Sequence, residues 1–168
     1  DIDNLVVVAP DSGFAKQARR FESYLGCSVA IGDKIRKSHE ERAEVLEIIG
    51  KVEGKDCLVV DDFSITGGTL VDIARGLKER GANRIFACLS HVLLQEEGVK
   101  RIENSPVELL LSSDTVKNDW VTESEVIKII SMAPLFAEAM TKISTGQSVS
   151  TLFDRVPREV LTSPLSDF

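Results

Sequence analysis

Short runs of β-branched and other apolar residues alternate along this chain with stretches whose apolar positions recur at helical spacing. "LVVVA" (5–9) predicts a buried strand. Residues 13–25 predict a helix that Gly26 ends, because glycine takes the left-handed conformation a helix C-terminus favours. "SVAIG" (28–32) predicts a second strand. The charged run "DKIRKSHEER" (33–42), nearly devoid of apolar residues, predicts a mobile loop, and "AEVLEIIG" (43–50) resumes a strand pattern. "DCLVVD" (56–61) is the plainest buried strand. In the helix after it, Leu70, Ile73, Ala74 and Leu77 fall at i, i+3, i+4 and i+7, and Gly81 stops it. Residues 84–90, 107–113 and 126–131 predict further strands, and 95–102 a short helix. Pro134 suits a helix first turn, and Leu135, Phe136, Ala139, Met140 and Ile143 give that last helix an apolar face.

Alternating strands and helices, with strands apolar almost throughout, define an α/β protein whose parallel sheet carries helices on both faces. Such sheets bind ligands beyond the carboxyl ends of their strands, where strand order switches. The polar residues of interest collect after the strands: "PDSG" after the first, "DKIRK" after the second, "DFSITGGT" after 56–61 and "HVLL" after 84–90.

"DFSITGGT" is the most informative of these. Gly67 and Gly68 let backbone fold tightly and approach a ligand, and Thr66 and Thr69 offer hydroxyls, with Ser64 and Ile65 in the same run. A helix begins there, so unpaired N–H groups and the positive end of its dipole suit an anion, best a phosphate. The loop is neither GxxxxGK[ST] nor GxGxxG. Asp61 and Asp62 would repel a phosphate and instead suit hydroxyl groups, so the loop fits a sugar phosphate better than free phosphate.

Composition adds bounds. At 168 residues, 43% hydrophobic and 28% charged, the chain fits one domain, 1–153, followed by a tail, 154–168. The net charge of −7 argues against nonspecific nucleic-acid binding. No apolar run reaches the roughly 18–20 residues of a membrane span, and the chain reads as soluble and cytosolic. Cys27, Cys57 and Cys88 are too widely spaced for a CxxC site and read as buried apolar residues. The chain starts at Asp1, on the approach to a strand, and reads as a piece of something longer.

Two acids, three variable residues, then Thr, a small residue, Gly and Thr resemble the phosphoribosyl-binding loop of the type I phosphoribosyltransferase fold. Taken with "VVVAPDSG", "AIGDKIRK", "VEGKDCLVVDD", "LKERGANRIFACLSH", "RIENSPVELLLSSDT" and "SVSTLF", in order, the chain resembles the C-terminal half of the ribose-phosphate diphosphokinase (phosphoribosyl pyrophosphate synthetase) family. The resemblance implies transfer of a diphosphoryl group from ATP to ribose 5-phosphate, with Mg²⁺, in a homo-oligomer. It implies that Asp61 and Asp62 hold ribose hydroxyls, that Thr66, Gly67, Gly68 and Thr69 hold the phosphate, and that Asp11 helps place Mg²⁺. It also implies that Lys34 and Arg36 act as catalytic residues by neutralising charge on the transferred group. An Asx turn is the rival reading of Asp11 and a structural role that of His91.

The chain departs from the family in three places. Ile65 stands where an acid is usual, Phe14 where a second glycine is usual, and "SHVLL" lacks a glycine after its histidine. Ile65 makes "ITGGT" closer to the loop of nucleobase phosphoribosyltransferases, so a transferase that consumes phosphoribosyl pyrophosphate is one alternative. A noncatalytic regulatory homologue is the other. The family's N-terminal half, with much of its ATP site, has no counterpart in these residues.

Overall fold

The computed structural model of the protein describes residues 4–36 and 44–153. Seven strands form one sheet: β1 (Leu5–Ala9), β2 (Ser28–Arg36), β3 (Glu44–Ile49), β4 (Asp56–Ser64), β5 (Ile85–Val92), β6 (Leu109–Ser113) and β7 (Ile127–Ile130). Their spatial order is β3-β2-β1-β4-β5-β6-β7, parallel except where β3 runs antiparallel to β2. The chain therefore builds outward from β1 on one side, then returns to place β4 on its other side. That reversal is the switch point at which α/β sheets bind ligands.

Helices α1 (Ala15–Leu25), α2 (Gly68–Glu79) and α3 (Glu96–Glu103) follow β1, β4 and β5. Strand alternation sends Val6, Val8, Cys57, Val59, Ile85 and Ala87 into a large core under α2, whose Leu70, Ile73, Ala74 and Leu77 are buried as their spacing predicts. On the opposite face, Val7, Ala9 and Val60 meet Phe14 and Ala18 in a smaller core under α1. Burial pushes the Cys57 thiol up to about 11, with help from the Asp56 charge, so it stays protonated and packs as a small apolar group. Gly26 closes α1 at φ 65°, with its N–H bonded to Glu22 O, as expected of a left-handed cap.

Two expectations change. The run 33–42 is not loop throughout. β2 continues through Asp33, Lys34, Ile35 and Arg36, which pair with Glu47, Leu46, Val45 and Glu44. An edge hairpin satisfies those backbone groups by pairing, which a reading based on side-chain polarity does not see. The rest of that run, 37–42, lies outside the described residues, as does the tail 154–168. Helices cover both faces of the sheet as expected, most closely around β1 and β4; over β5 and β6 the α1 side is half-buried at Phe86, Leu109 and Leu111. Second, the apolar face of α4 (Ala133–Ser144) is not buried against the chain: Phe136, Met140 and Ile143 are 58%, 64% and 68% exposed. Periodicity shows which face favours burial and not what buries it. No helix among the described residues is long and apolar enough to cross a membrane.

An ion pair ties down the opposite edge of the sheet. Buried Asp56 accepts hydrogen bonds from Arg84 Nη2 at 2.5 Å and Nε at 3.1 Å, and from Asn83 Nδ2 at 2.8 Å. The Arg84 bonds hold its carboxyl below the ordinary carboxylate range against the opposing effect of burial. A depressed folded-state pKa stabilises above the unfolded value of 3.8, and that stabilisation is lost as pH falls through the folded value. Asp56→Ala is expected to cost roughly 2 kcal/mol at pH 7, or about 4–8 °C in Tm. Thermal unfolding followed by circular dichroism should show that deficit shrinking toward pH 3.

Candidate functional site

At the switch point, the loop after β1 and the β4–α2 loop enclose a cleft of about 520 Å³ lined by Pro10, Asp11, Asp61, Phe63, Ser64, Ile65, Thr66, Gly68 and Thr69, floored by Val59, Leu70, Ile73 and Leu89. β4 takes in Asp62, Phe63 and Ser64 as well as Asp61, where the strand was expected to end. β4 stays paired with β5 through Ser64, with Asp61 opposite Leu89, Phe63 opposite His91 and Ser64 opposite Val92. Strand alternation therefore separates the two acids. Asp61 shares the cleft with Phe63 and the phosphate-type loop, whereas Asp62 lines a second cleft of about 520 Å³ on the α1 side of the sheet, whose border Asp61 also reaches.

The loop holds itself in shape. Gly67 adopts φ 72°, a conformation costly for residues with a Cβ. Its N–H donates to Ser64 Oγ at 3.1 Å, and the Gly68 N–H donates to Thr66 Oγ1 at 3.3 Å. The first α2 amide bonded to a loop carbonyl is Val71, to Gly67 O at 3.0 Å. The amides ahead of it form the open, positive end of the helix. Ile65, 57% exposed, lines this cleft where the family pattern has an acid. Helix α3 packs against the back of the loop: a Cβ on Gly67 would lie 3.3 Å from Gly98 O, and one on Gly98 would lie 3.4 Å from Thr66 O. From α3, Arg101 Nη1 donates to Thr66 O at 2.8 Å. Nothing in the sequence links Arg101 to the loop, since the contact exists only once α3 folds back beside α2.

Burial raises the pKa of Asp61, and the nearby charges of Asp62 and Asp11 raise it further, against a hydrogen bond of 2.8 Å from the Asp62 N–H that lowers it. Asp11 Oδ1 accepts the Phe14 N–H at 2.9 Å, so the turn-forming role is real, and Asp11 also faces the cleft. Phe14, in place of the family glycine, is buried in the core under α1. The backbone of Lys34 and Arg36 stands in the β2–β3 hairpin, five residues past the last β1–β2 pair in the case of Arg36. At roughly 3.3 Å per residue, the hairpin extends about 16 Å past the end of β1, beyond the carboxyl ends of the strands where the cleft opens.

His91 lies away from this cleft. It lines the second one, where its Nδ1 is 2.6 Å from Thr115 Oγ1, which in turn is 2.6 Å from Ser113 Oγ. Ser113 donates onward to Ser90 O at 2.5 Å, so the histidine is held by a chain of hydroxyls. That arrangement accords with a structural reading of His91. Among the described residues, no cluster of three or more His, Cys, Asp or Glu could hold a metal alone.

A mostly parallel sheet whose switch point joins a carboxylate to a glycine-bearing, helix-opening loop defines the class: a type I phosphoribosyltransferase-like fold. Residues 32–154 match the phosphoribosyl synthetase-associated domain, and the chain belongs to that family. It is 40% identical over 151 residues to a ribose-phosphate pyrophosphokinase of Thermosipho africanus, covering 90% of this chain and 47% of that protein. It is 42% identical over 151 residues to the pyrophosphokinase of Caldanaerobacter subterraneus subsp. tengcongensis, covering 90% and 48%. The solved structure of phosphoribosylpyrophosphate synthetase from Mycobacterium smegmatis superposes with a TM-score of 0.75 at 25% identity, over 85% of this chain and 46% of that one. The chain thus spans about half the length of the curated relatives it matches.

The electrostatics of Asp61 generate a prediction. A carboxylate with a raised folded-state pKa contributes stability below its unfolded value that is lost as pH rises through the folded one. Asp61→Asn should therefore raise the Tm of the ligand-free protein at pH 7. The gain should vanish well below pH 3.8, where Asp61 is protonated in both folded and unfolded states. Calorimetry at the two pH values checks this, and a lower Tm at pH 7 would contradict it.

Proposed function

We propose that the chain is the ribose 5-phosphate-binding half of a ribose-phosphate diphosphokinase, the activity its relatives are named for. The observation that carries this reading is the one cleft holding both Asp61 and the loop with Thr66, Gly68 and Thr69, since a sugar phosphate needs an acceptor for hydroxyls and, a few bonds away, a cradle for an anion. In the reaction, the 1-hydroxyl oxygen of ribose 5-phosphate attacks the β-phosphorus of ATP. The bond from that phosphorus to the oxygen bridging to the α-phosphorus breaks. AMP leaves with the oxygen, and the hydroxyl proton passes to solvent.

The assigned roles follow from placement. Asp61 would accept hydrogen bonds from ribose hydroxyls; Asp62, turned to the second cleft, would meet the same sugar only across the border that Asp61 shares between the two clefts. Ser64 and Thr66 now occupy the Gly67 and Gly68 amides, and phosphate oxygens would replace them there. Ile65 would form the outer wall, and Thr69 would add its hydroxyl. Lys34 and Arg36, on the hairpin above the cleft edge, would meet the negative charge of the transferred diphosphoryl group.

Mg²⁺ belongs to the same proposal. The ion binds through one or two carboxylates plus water and phosphate oxygens, and Asp11 and Asp61 line one cleft within electrostatic reach of each other. With Asp11 Oδ1 committed to Phe14, Oδ2 would take the ion. When bound, Mg²⁺ would offset the charge of the phosphates. A homo-oligomer in the cytoplasm completes the reading, supported by the uncovered stripe Phe136, Met140 and Ile143 and by three unpaired cysteines.

Titration calorimetry should show the 168-residue chain binding ribose 5-phosphate, with AMP formation from ATP at background. Sustained AMP formation by the isolated chain would contradict the need for a second half. In an active full-length enzyme, alanine at Lys34 and Arg36 should lower turnover at least ~100-fold while ribose 5-phosphate affinity stays within about twofold. Unchanged turnover would favour the noncatalytic homologue.

A further inference from the structure

The cleft presents a difficulty for any phosphate. Its lining carries the carboxylates Asp11 and Asp61 and no lysine, arginine or histidine among the described residues. Backbone amides must therefore be aimed well, because they act against two negative charges. A guanidinium does bond to the loop, that of Arg101, which comes from α3, behind the loop and outside the motif itself.

We infer that Arg101 is a positioning residue for phosphate binding: by holding the Thr66 carbonyl toward α3, it turns the Gly67 N–H toward the cleft. This inference rests on the ribose 5-phosphate reading of the site. The argument is one of peptide geometry. In a trans peptide the C=O of one residue and the N–H of the next point in opposite directions across one rigid plane. Thr66 O points at α3, where Arg101 Nη1 lies at 2.8 Å and a Cβ on Gly98 would meet it at 3.4 Å. The Gly67 N–H of the same plane points the other way, to Ser64 Oγ on the cleft wall.

Two further features make this anchoring necessary. Glycine at 67, with φ 72°, and glycine at 68 leave the loop without the steric restraint that side chains supply. The contacts of Gly67 and Gly98 leave no room for a bulkier wedge that could fix the loop by packing. Once a phosphate oxygen displaces Ser64 Oγ from the Gly67 N–H, the charge-assisted hydrogen bond to the Thr66 carbonyl still fixes the plane. The same guanidinium places Nη1 3.8 Å from where a Cβ on Gly68 would sit, so its positive charge lies beside the cradle.

The test compares three ligands on the full chain by protein-detected NMR titration: ribose 5-phosphate, inorganic phosphate and D-ribose. Arg101→Ala should weaken ribose 5-phosphate and phosphate roughly tenfold, leave ribose unchanged and move the unfolding midpoint little. Arg101→Lys, which keeps a charged donor, should recover part of the loss. Equal weakening of all three ligands together with a lowered midpoint would overturn the inference in favour of a purely structural role. Wild-type affinity for ribose 5-phosphate in Arg101→Ala would overturn it and leave the site reading intact. Failure of the unaltered chain to bind ribose 5-phosphate would sink both.

Discussion

Four successive pairs, Leu5 with Asp56 through Val8 with Val59, bind β1 to β4 in parallel across the point where the strand order reverses. Everything at the cleft depends on that pairing. It sets the loop carrying Asp11 beside the one carrying Asp61 and Thr66–Thr69, although about fifty residues separate them. The pairing is itself held from both faces: Val6, Val8, Cys57 and Val59 pack under α2, and Val7 and Val60 pack under α1. At the far edge, the Arg84–Asp56 ion pair fixes where β4 and β5 begin, and so the register with which both reach the cleft.

Rigid sheet and adaptable loop divide the work. Asp61 stands on a paired strand, where its carboxylate is kept in place at an electrostatic cost imposed by burial, Asp62 and Asp11. Such a cost is what a binding site retains when its ligand, rather than the empty protein, satisfies the group. The phosphate-type loop instead uses provisional partners, its own Ser64 and Thr66 hydroxyls, that an anion can replace without unfolding anything. α3 closes the arrangement from behind through Gly98 and Arg101.

Much of this was legible in the sequence where one local cause decides the outcome. β1 matches "LVVVA" residue for residue, because five apolar residues between Asn4 and the strand-ending Pro10 admit few other readings. Leu70, Ile73, Ala74 and Leu77 are buried together because helical spacing leaves them on one face. The failures come where a partner decides. The hairpin at Lys34 and Arg36 is held by the pairing of β2 with β3, which side-chain polarity conceals. The division of Asp61 from Asp62 between two clefts follows from β4 running on to Ser64, a consequence of β5 being there to pair with it. Arg101 was invisible because its contact depends on how α3 docks.

A crystal structure of the chain with ribose 5-phosphate bound tests the central claim most directly. The account predicts phosphate oxygens within hydrogen-bond distance of the Gly67, Gly68 and Thr69 amides, the Ser64 and Thr66 hydroxyls displaced from them, and ribose hydroxyls at Asp61. A sugar phosphate seated beside His91 in the second cleft, or lying with its phosphate away from the loop, would contradict it.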